Sequence, residues 1–360
     1  MQRETMLSWS WMDVLTHKRY QALCEVYGDL DTALTQVNEQ LLRSLGCREE
    51  TAFRAMNRLE EFDTSAYEHI LATRGIRLMS REDELFPAAL RQIPDPPVFL
   101  YYKGDLSVVS QPCIGLVGTR DMSAYGKRVT ETFTAAMVHA GCTTVSGLAR
   151  GIDTLVAKET LAAGGKTVAV LGHGFGCISP RSNVSLAEDI VSSGGLLLSE
   201  FPLDTEGGKY TFPARNRIIA ALSVGTVVLE AAEGSGALIT ADLALEYGRE
   251  VFAVPGDIFD PLRDGCHAYI ATGRAQLVCT PKDVLQSIGI VASTQATQVS
   301  YTPQNDSEKA VLNALTTLPQ SSGELTDRLG IAASEVGAAL TMMELAGVAK
   351  NTGNGLWVRL

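Results

Sequence analysis

The chain has 360 residues, a formal net charge of −11 and a hydrophobic fraction of 46%, enough for roughly two or three domains with packed cores. Seven cysteines without a CxxC pair and five histidines without i, i+3 or i+4 spacing offer neither a disulfide framework nor a metal site, and fit reduced thiols in the cytoplasm. The acidic balance excludes a polycation that coats DNA indiscriminately and leaves room for a local basic site.

The chain opens on MQRETMLSWSWMDVL, in which acidic residues interrupt any apolar run. No signal peptide is expected there. No later stretch approaches the roughly 20 apolar residues of a membrane span. Residues 1–75 carry leucines and tyrosines at helical spacing, with Gly28 and Gly46 as stops, and predict a small helical domain. The Pro-punctuated segment 81–105 then leads into an apolar strand over Val98–Tyr102.

Residues 76–290 form the predicted central domain. Strands are expected at 113–118, 142–146, 166–172, 195–199, 225–231 and 250–256, with helical stretches between them. Near-continuous apolar strands require cover on both faces, so the fold class is α/β: a Rossmann-like, doubly wound, mostly parallel sheet. The polar stretch 291–306 reads as a linker. Residues 307–360 alternate helices with a turn and strand in the pattern of a winged helix.

Ligands of open parallel sheets bind beyond the carboxyl ends of the strands. Here those ends carry Gly118-Thr119-Arg120, Ser146-Gly147, GHGFG at 172–176, Glu200, EAAEGSGAL at 230–238 with Ser235 and Gly236, and PGD at 255–257. Glycines admit a ligand to the backbone, and the helix starts behind them offer free N–H groups to anions, so a phosphate-bearing ligand is expected. The pattern counts against NAD: GxGxxG is absent and no acid ends the second strand. P-loop, GxSxG and HExxH signatures are absent too. Asp153 and Glu200 are read as a helix-start cap and an ion-pair partner rather than catalytic carboxylates.

One stretch concentrates cations and aromatics, KYTFPARNR at 209–217. Pro213 is placed at the first position of a helix, with Phe212 as its cap. Arg215 shares a face with Ile218 and Ile219 and so points at the rim, whereas Arg217 lies about 200° around the helix. Phe212 beside Lys209 and Arg215 suits a base stacked on the ring while cations hold the backbone, the combination of single-strand binding sites.

The segments LFPAALRQIPDPPVFLYYKGD, GLVGTR, TVSGLARGID, LLLSEFPL, FPARNRIIAALS, EAAEGSGALITADLALEYGREVFAVPG and DGCHAYIATGRAQLV resemble the DprA/Smf family of DNA-processing proteins. The resemblance is dense over residues 80–285. It implies a dimeric, cytoplasmic protein without catalytic activity or cofactor. Such proteins bind single-stranded DNA and help load the RecA recombinase on incoming strands in natural transformation. It implies that Arg120, Lys209 and Phe212 form the DNA pocket, with Asn216 and Arg217 in the same FPxRNR motif. The N-terminal helices resemble SAM or helix-hairpin-helix modules and the C-terminal domain a DML1-like winged helix. The chain departs from the family pattern at Lys158, Ser179, Ala237 and His267.

Two other functions compete. A Rossmann-like phosphoribohydrolase would need an acid after the Gly-Thr of its PGGxGTxxE turn, and EAAEGSGAL has none there. A duplex-reading winged helix would need cations on its recognition helix, and residues 332–347 carry Glu335 and Glu344 but neither Lys nor Arg.

Overall fold

A computed structural model describes residues 1–290, 301, 303–316, 319–353 and 355–359. The chain divides into two compact units, Met1–Ala292 and Ser293–Leu360. Most of the expected linker, residues 291–300 and 302, lies outside the described residues.

The first unit holds a nine-stranded sheet. Its strands are β1 (Arg77–Ser80), β2 (Phe99–Gly104), β3 (Cys113–Gly118), β4 (Thr143–Ser146), β5 (Thr167–Leu171), β6 (Leu196–Ser199), β7 (Gly225–Glu230), β8 (Glu250–Ala253) and β9 (Gln276–Leu277). They lie in the order β1-β2-β6-β5-β4-β3-β7-β8-β9. From β6 to β9 every pair is parallel; β2 runs antiparallel to both β6 and β1. The one reversed strand, β2, has a simple cause. Because β2 runs against the others, it ends where β3 begins, and a short 3₁₀ turn, Leu106–Ser110, makes the link. A parallel β2 would have needed a full crossover.

Side-chain alternation explains the two covered faces. In β3, Cys113 and Val117 join a core with Ile218, Ile219 and Leu222 of the helix Thr211–Leu222. Ile114 and Leu116 face Phe133, Met137, Ile152 and Val156 on the opposite side. Strand order reverses between β3, whose chain continues to β4, β5 and β6 on one side, and β7 on the other. That reversal leaves a crevice at the carboxyl ends of β3 and β7, where the flanking helices part.

Six helices between Arg3 and Thr73 precede the sheet. Gly28 and Gly46 close the helices before them with φ of 85° and 81°. Trp9, Leu23, Leu42 and Leu71 form a core that also takes in Val98, Phe99 and Tyr101 of the β2 segment and Leu203. Buried hydroxyls fasten the same boundary: Tyr101 donates to Ser10 Oγ at 2.8 Å and Tyr67 to Tyr101 at 3.2 Å.

The second unit has helices Asp306–Ala314, Ser322–Leu329 and Ala333–Leu345 and an antiparallel sheet of β10 (Gln320–Ser321), β11 (Ala349–Gly353) and β12 (Leu356–Arg359). This is the winged-helix arrangement. Ser321 and Glu324 close a reciprocal capping box at the start of the second helix.

Candidate functional site

At the β3/β7 reversal lies a cavity of about 680 Å³. Its wall from β3 is Gly118, Thr119 and Arg120. The wall beyond β7 holds Ser235 and Gly236, and the helix Thr211–Leu222 contributes Phe212, Arg215 and Asn216, with Lys209 just before it. These nine expected residues come together. Ser146, Gly147 and Arg217 do not line the cavity.

Close backbone packing fixes the Gly118-Thr119-Arg120 turn. A Cβ on Gly118 would stand 2.2 Å from Ile152 Cδ1, so only glycine lets the helix Ile152–Ala162 approach. Thr119 N–H donates to Glu230 O at 2.8 Å and Thr119 O accepts from Ile152 N–H at 3.1 Å. Beyond this anchored pair the Arg120 side chain is exposed, and its guanidinium carbon stands 5.2 Å from the centroid of the Phe212 ring.

The helix behind Phe212 starts earlier than its sequence indicates. It spans Thr211–Leu222 with Tyr210 as cap, so Pro213 is its third residue rather than its first. Proline fits there because the first-turn N–H groups have no intrahelical partner anyway. Thr211 supplies the closure instead: Gly208 N–H donates to Thr211 Oγ1 at 2.8 Å, and Phe212 N–H donates to Gly208 O at 3.2 Å. Phe212 is half-buried. Its ring rests on two glycines; a Cβ on Gly172 or Gly207 would come within 2.6 or 2.7 Å of ring carbons. The ring thus has glycine backbone beside it and a guanidinium near its face.

Arg215 forms the floor. It is 4% exposed and donates to Gly147 O at 2.6 Å and to Val170 O. Gly147 is the residue that leaves room, since a Cβ there would lie 2.3 Å from Arg215 Nη1. Burial lowers the Arg215 pKa to about 10, with Asp153 opposing the shift, so it is charged at neutral pH. Burial pushes the Asp153 carboxyl up; Arg215 and the loop amides pull it back. Asp153 accepts from Gly147 N–H at 3.1 Å and Ala149 N–H at 3.4 Å, so it ties the preceding loop rather than the first turn of its own helix. Ser146 is buried and donates to Leu116 O at 2.8 Å, a tie from β4 to the neighbouring strand β3. Asn216 donates to Gly236 O at 3.3 Å, coupling the two helices that flank the cavity.

Arg217 turns away from the cavity, as its angular offset requires. It pairs with Glu200 and, at 3.3 Å, with Asp95. Burial raises the Glu200 carboxyl and Arg217 lowers it. Both carboxylates singled out in the sequence therefore have structural partners.

Sequence reading missed the tie beneath the β7 end. Glu230 is fully buried; it accepts from Ser123 N–H at 2.9 Å and pairs with Arg263 at 3.2 Å. Arg263 lies 4.4 Å over the Tyr125 ring. Only the fold brings residues so far apart in sequence together. Among the described residues no group of three or more His, Cys, Asp or Glu could hold a metal ion. No helix among them is long and apolar enough to cross a membrane.

A Rossmann-like core with an aromatic ring and cations in the cavity at its reversal point is joined in this chain to a winged helix. Residues 77–289 match the family model for DNA recombination-mediator protein A, and residues 295–355 match the DprA winged helix domain. The chain belongs to the DprA/Smf family. It is 41% identical over 235 residues to the DNA processing protein DprA of Bacillus subtilis, covering 64% of this chain and 78% of that one. It is 39% identical over 279 residues to Protein Smf of Escherichia coli, covering 75% and 74%. The X-ray structure of DprA from Streptococcus pneumoniae superposes with a TM-score of 0.67 at 35% identity, covering 79% of this chain and 98% of that one. The structure of DNA processing protein A from Helicobacter pylori, described for its single-stranded DNA binding mode, superposes with a TM-score of 0.54 at 28% identity, covering 59% of this chain and 95% of that one. Membership in a family of mediators sets aside the phosphoribohydrolase reading.

Proposed function

We propose that the cavity at the β3/β7 reversal binds single-stranded DNA and that the protein delivers such strands to RecA in natural transformation. The observation that carries this reading is the Arg120 guanidinium poised over the Phe212 ring with Lys209 on the same cavity wall. A base entering the cavity takes the guanidinium's place on the ring, and the freed Arg120 moves to the phosphate. The contact given up is worth about 0.5–1 kcal/mol at an exposed site, less than a stacked base returns at about 1–3 kcal/mol. Lys209 holds a second phosphate. Ser235 and Gly236 start the helix Gly236–Glu246, whose N-terminal end adds positive potential on the opposite wall. Arg215 and Asn216 shape the floor, and Gly118 and Thr119 hold the Arg120 turn. In this reading Ser146, Gly147 and Arg217 support the site from outside it.

The domain limits proposed are 1–75, 76–290, a linker at 291–306, and 307–360. The protein acts in the cytoplasm as a homodimer. Light scattering of the full chain checks the dimer.

The deciding experiment is a gel-shift series with single- and double-stranded oligonucleotides at several salt concentrations. Single strands should bind more tightly, with little sequence dependence. Equal or tighter binding of duplex would overturn the proposal.

A further inference from the structure

Tyr210 stands immediately outside the cavity. It is 77% exposed, and among the described residues its hydroxyl makes no hydrogen bond. A single exposed apolar group needs no explanation. Tyr210 differs in its neighbour: the Lys209 ammonium lies 4.9 Å from the ring centroid, and Lys209 is itself part of the cavity wall. The cation that closes one side of the cavity thus sits on an aromatic ring facing the other way. The backbone sets this division. Tyr210 already has helical dihedrals, with φ −97° and ψ −36°, so Tyr210 and Phe212 diverge by about 200° around the helix axis. Phe212 turns into the cavity and Tyr210 onto its outer lip, with Lys209 at the crest. Gly208, next in line, has open space where a side chain would be, so nothing screens the lip on that side.

We infer that Tyr210 is a second base-stacking platform, which takes the nucleotide following the one held over Phe212. The inference rests on the single-strand reading of the cavity. Lys209 then holds the phosphate between the two nucleotides, and the strand leaves the cavity over the lip. Every nucleobase has a π-face, so the platform is indifferent to sequence.

The test uses the full chain and a fluorescent oligo(dT) of about ten nucleotides, within the usual span of single-strand sites. Tyr210→Ala should weaken binding at least about 5-fold, the lower end for one stacked base. Tyr210→Phe should stay within about twofold of wild type, since stacking needs the ring and not the hydroxyl. The melting temperature of Tyr210→Ala should be unchanged, because the side chain is exposed, and the salt dependence of binding should keep its slope. Three results overturn the inference. Tyr210→Ala could bind like wild type while Phe212→Ala is weakened; Tyr210→Phe could lose as much as Tyr210→Ala; or the loss could come with a flattened salt slope, which would trace it to Lys209. If Phe212→Ala also binds like wild type, the single-strand reading itself fails, and the two failures are told apart.

Discussion

Arg120 and Phe212 are coupled before any ligand arrives, so their contributions should not add. Arg120→Ala and Lys209→Ala each remove a phosphate partner and should weaken binding and flatten its salt dependence. Phe212→Ala should cost about 1–3 kcal/mol of affinity with the slope nearly unchanged. The Arg120→Ala/Phe212→Ala double variant should lose more than the sum, because each single loss is partly offset by abolishing the contact at 5.2 Å that a base must break, and the double variant gains that offset only once. Titrations of the four variants across a salt series measure both effects; strict additivity would mean the two side chains act independently.

Arg217 belongs to stability. Its side chain is 12% exposed and is shared between Glu200 and Asp95. Arg217→Ala leaves the half-buried Glu200 without its cation and should cost up to about 3 kcal/mol of folding stability with little loss of DNA affinity. The pH dependence has a definite sign. The folded Glu200 carboxyl is held above its ordinary value of 4.5, so in that window the native state keeps a proton the unfolded chain has released. Stability from this group therefore falls as pH rises through the window. Removing Arg217 raises the folded value further. The melting deficit of Arg217→Ala should shrink as the pH is lowered from about 7 towards 5. A deficit independent of pH would show that Glu200 is not the group left stranded.

At the scale of elements, the helix Thr211–Leu222 shows how far sequence reasoning reaches. Its periodicity placed Arg215 on the buried face with Ile218 and Ile219 and sent Arg217 elsewhere, and the structure has both. Its first turn was illegible, because the closure is made by Thr211 on Gly208 and not by proline. Most of the six central strands could be read because they are apolar on both faces; β4, with Thr143, Thr144 and Ser146, is buried but mostly polar. The strand β9 could not be read, since two exposed residues carry no pattern, and β1 went unread although it is as long as β4, β6 and β8. Gly172 and Gly207 beneath Phe212, and Glu230 with Arg263, depend on contacts that no local rule foretells.

The same scale yields a deletion experiment. Residues 1–75 carry no cation–aromatic site, but their helices share a core with Val98, Phe99 and Tyr101. Deleting them exposes that surface, so the shortened protein should melt at markedly lower temperature. Ending the chain at residue 290 removes only the second compact unit, and oligo(dT) affinity should stay within about twofold of the full chain, below the energy of one stacked base. A larger loss on that truncation would place part of the DNA contact in the winged helix.

For the whole molecule, the cavity is an opening with a small excess of cations, Arg120, Lys209 and Arg215 against Asp153 and Glu233, on a body of net charge −11. Equilibrium binding and the approach to it then respond to different charges. At about 0.01 M salt the screening length is about 30 Å and a DNA strand feels the repulsion of the entire protein; at about 0.1 M it shrinks to about 10 Å and only the groups around the opening remain in view. Encounter kinetics should therefore be non-monotonic. Stopped-flow association rates should rise as salt is first added, pass through a maximum, and fall once Arg120 and Lys209 are screened in turn. A rate that only declines from the lowest salt upward would mean that the opening's own field already dominates at long range.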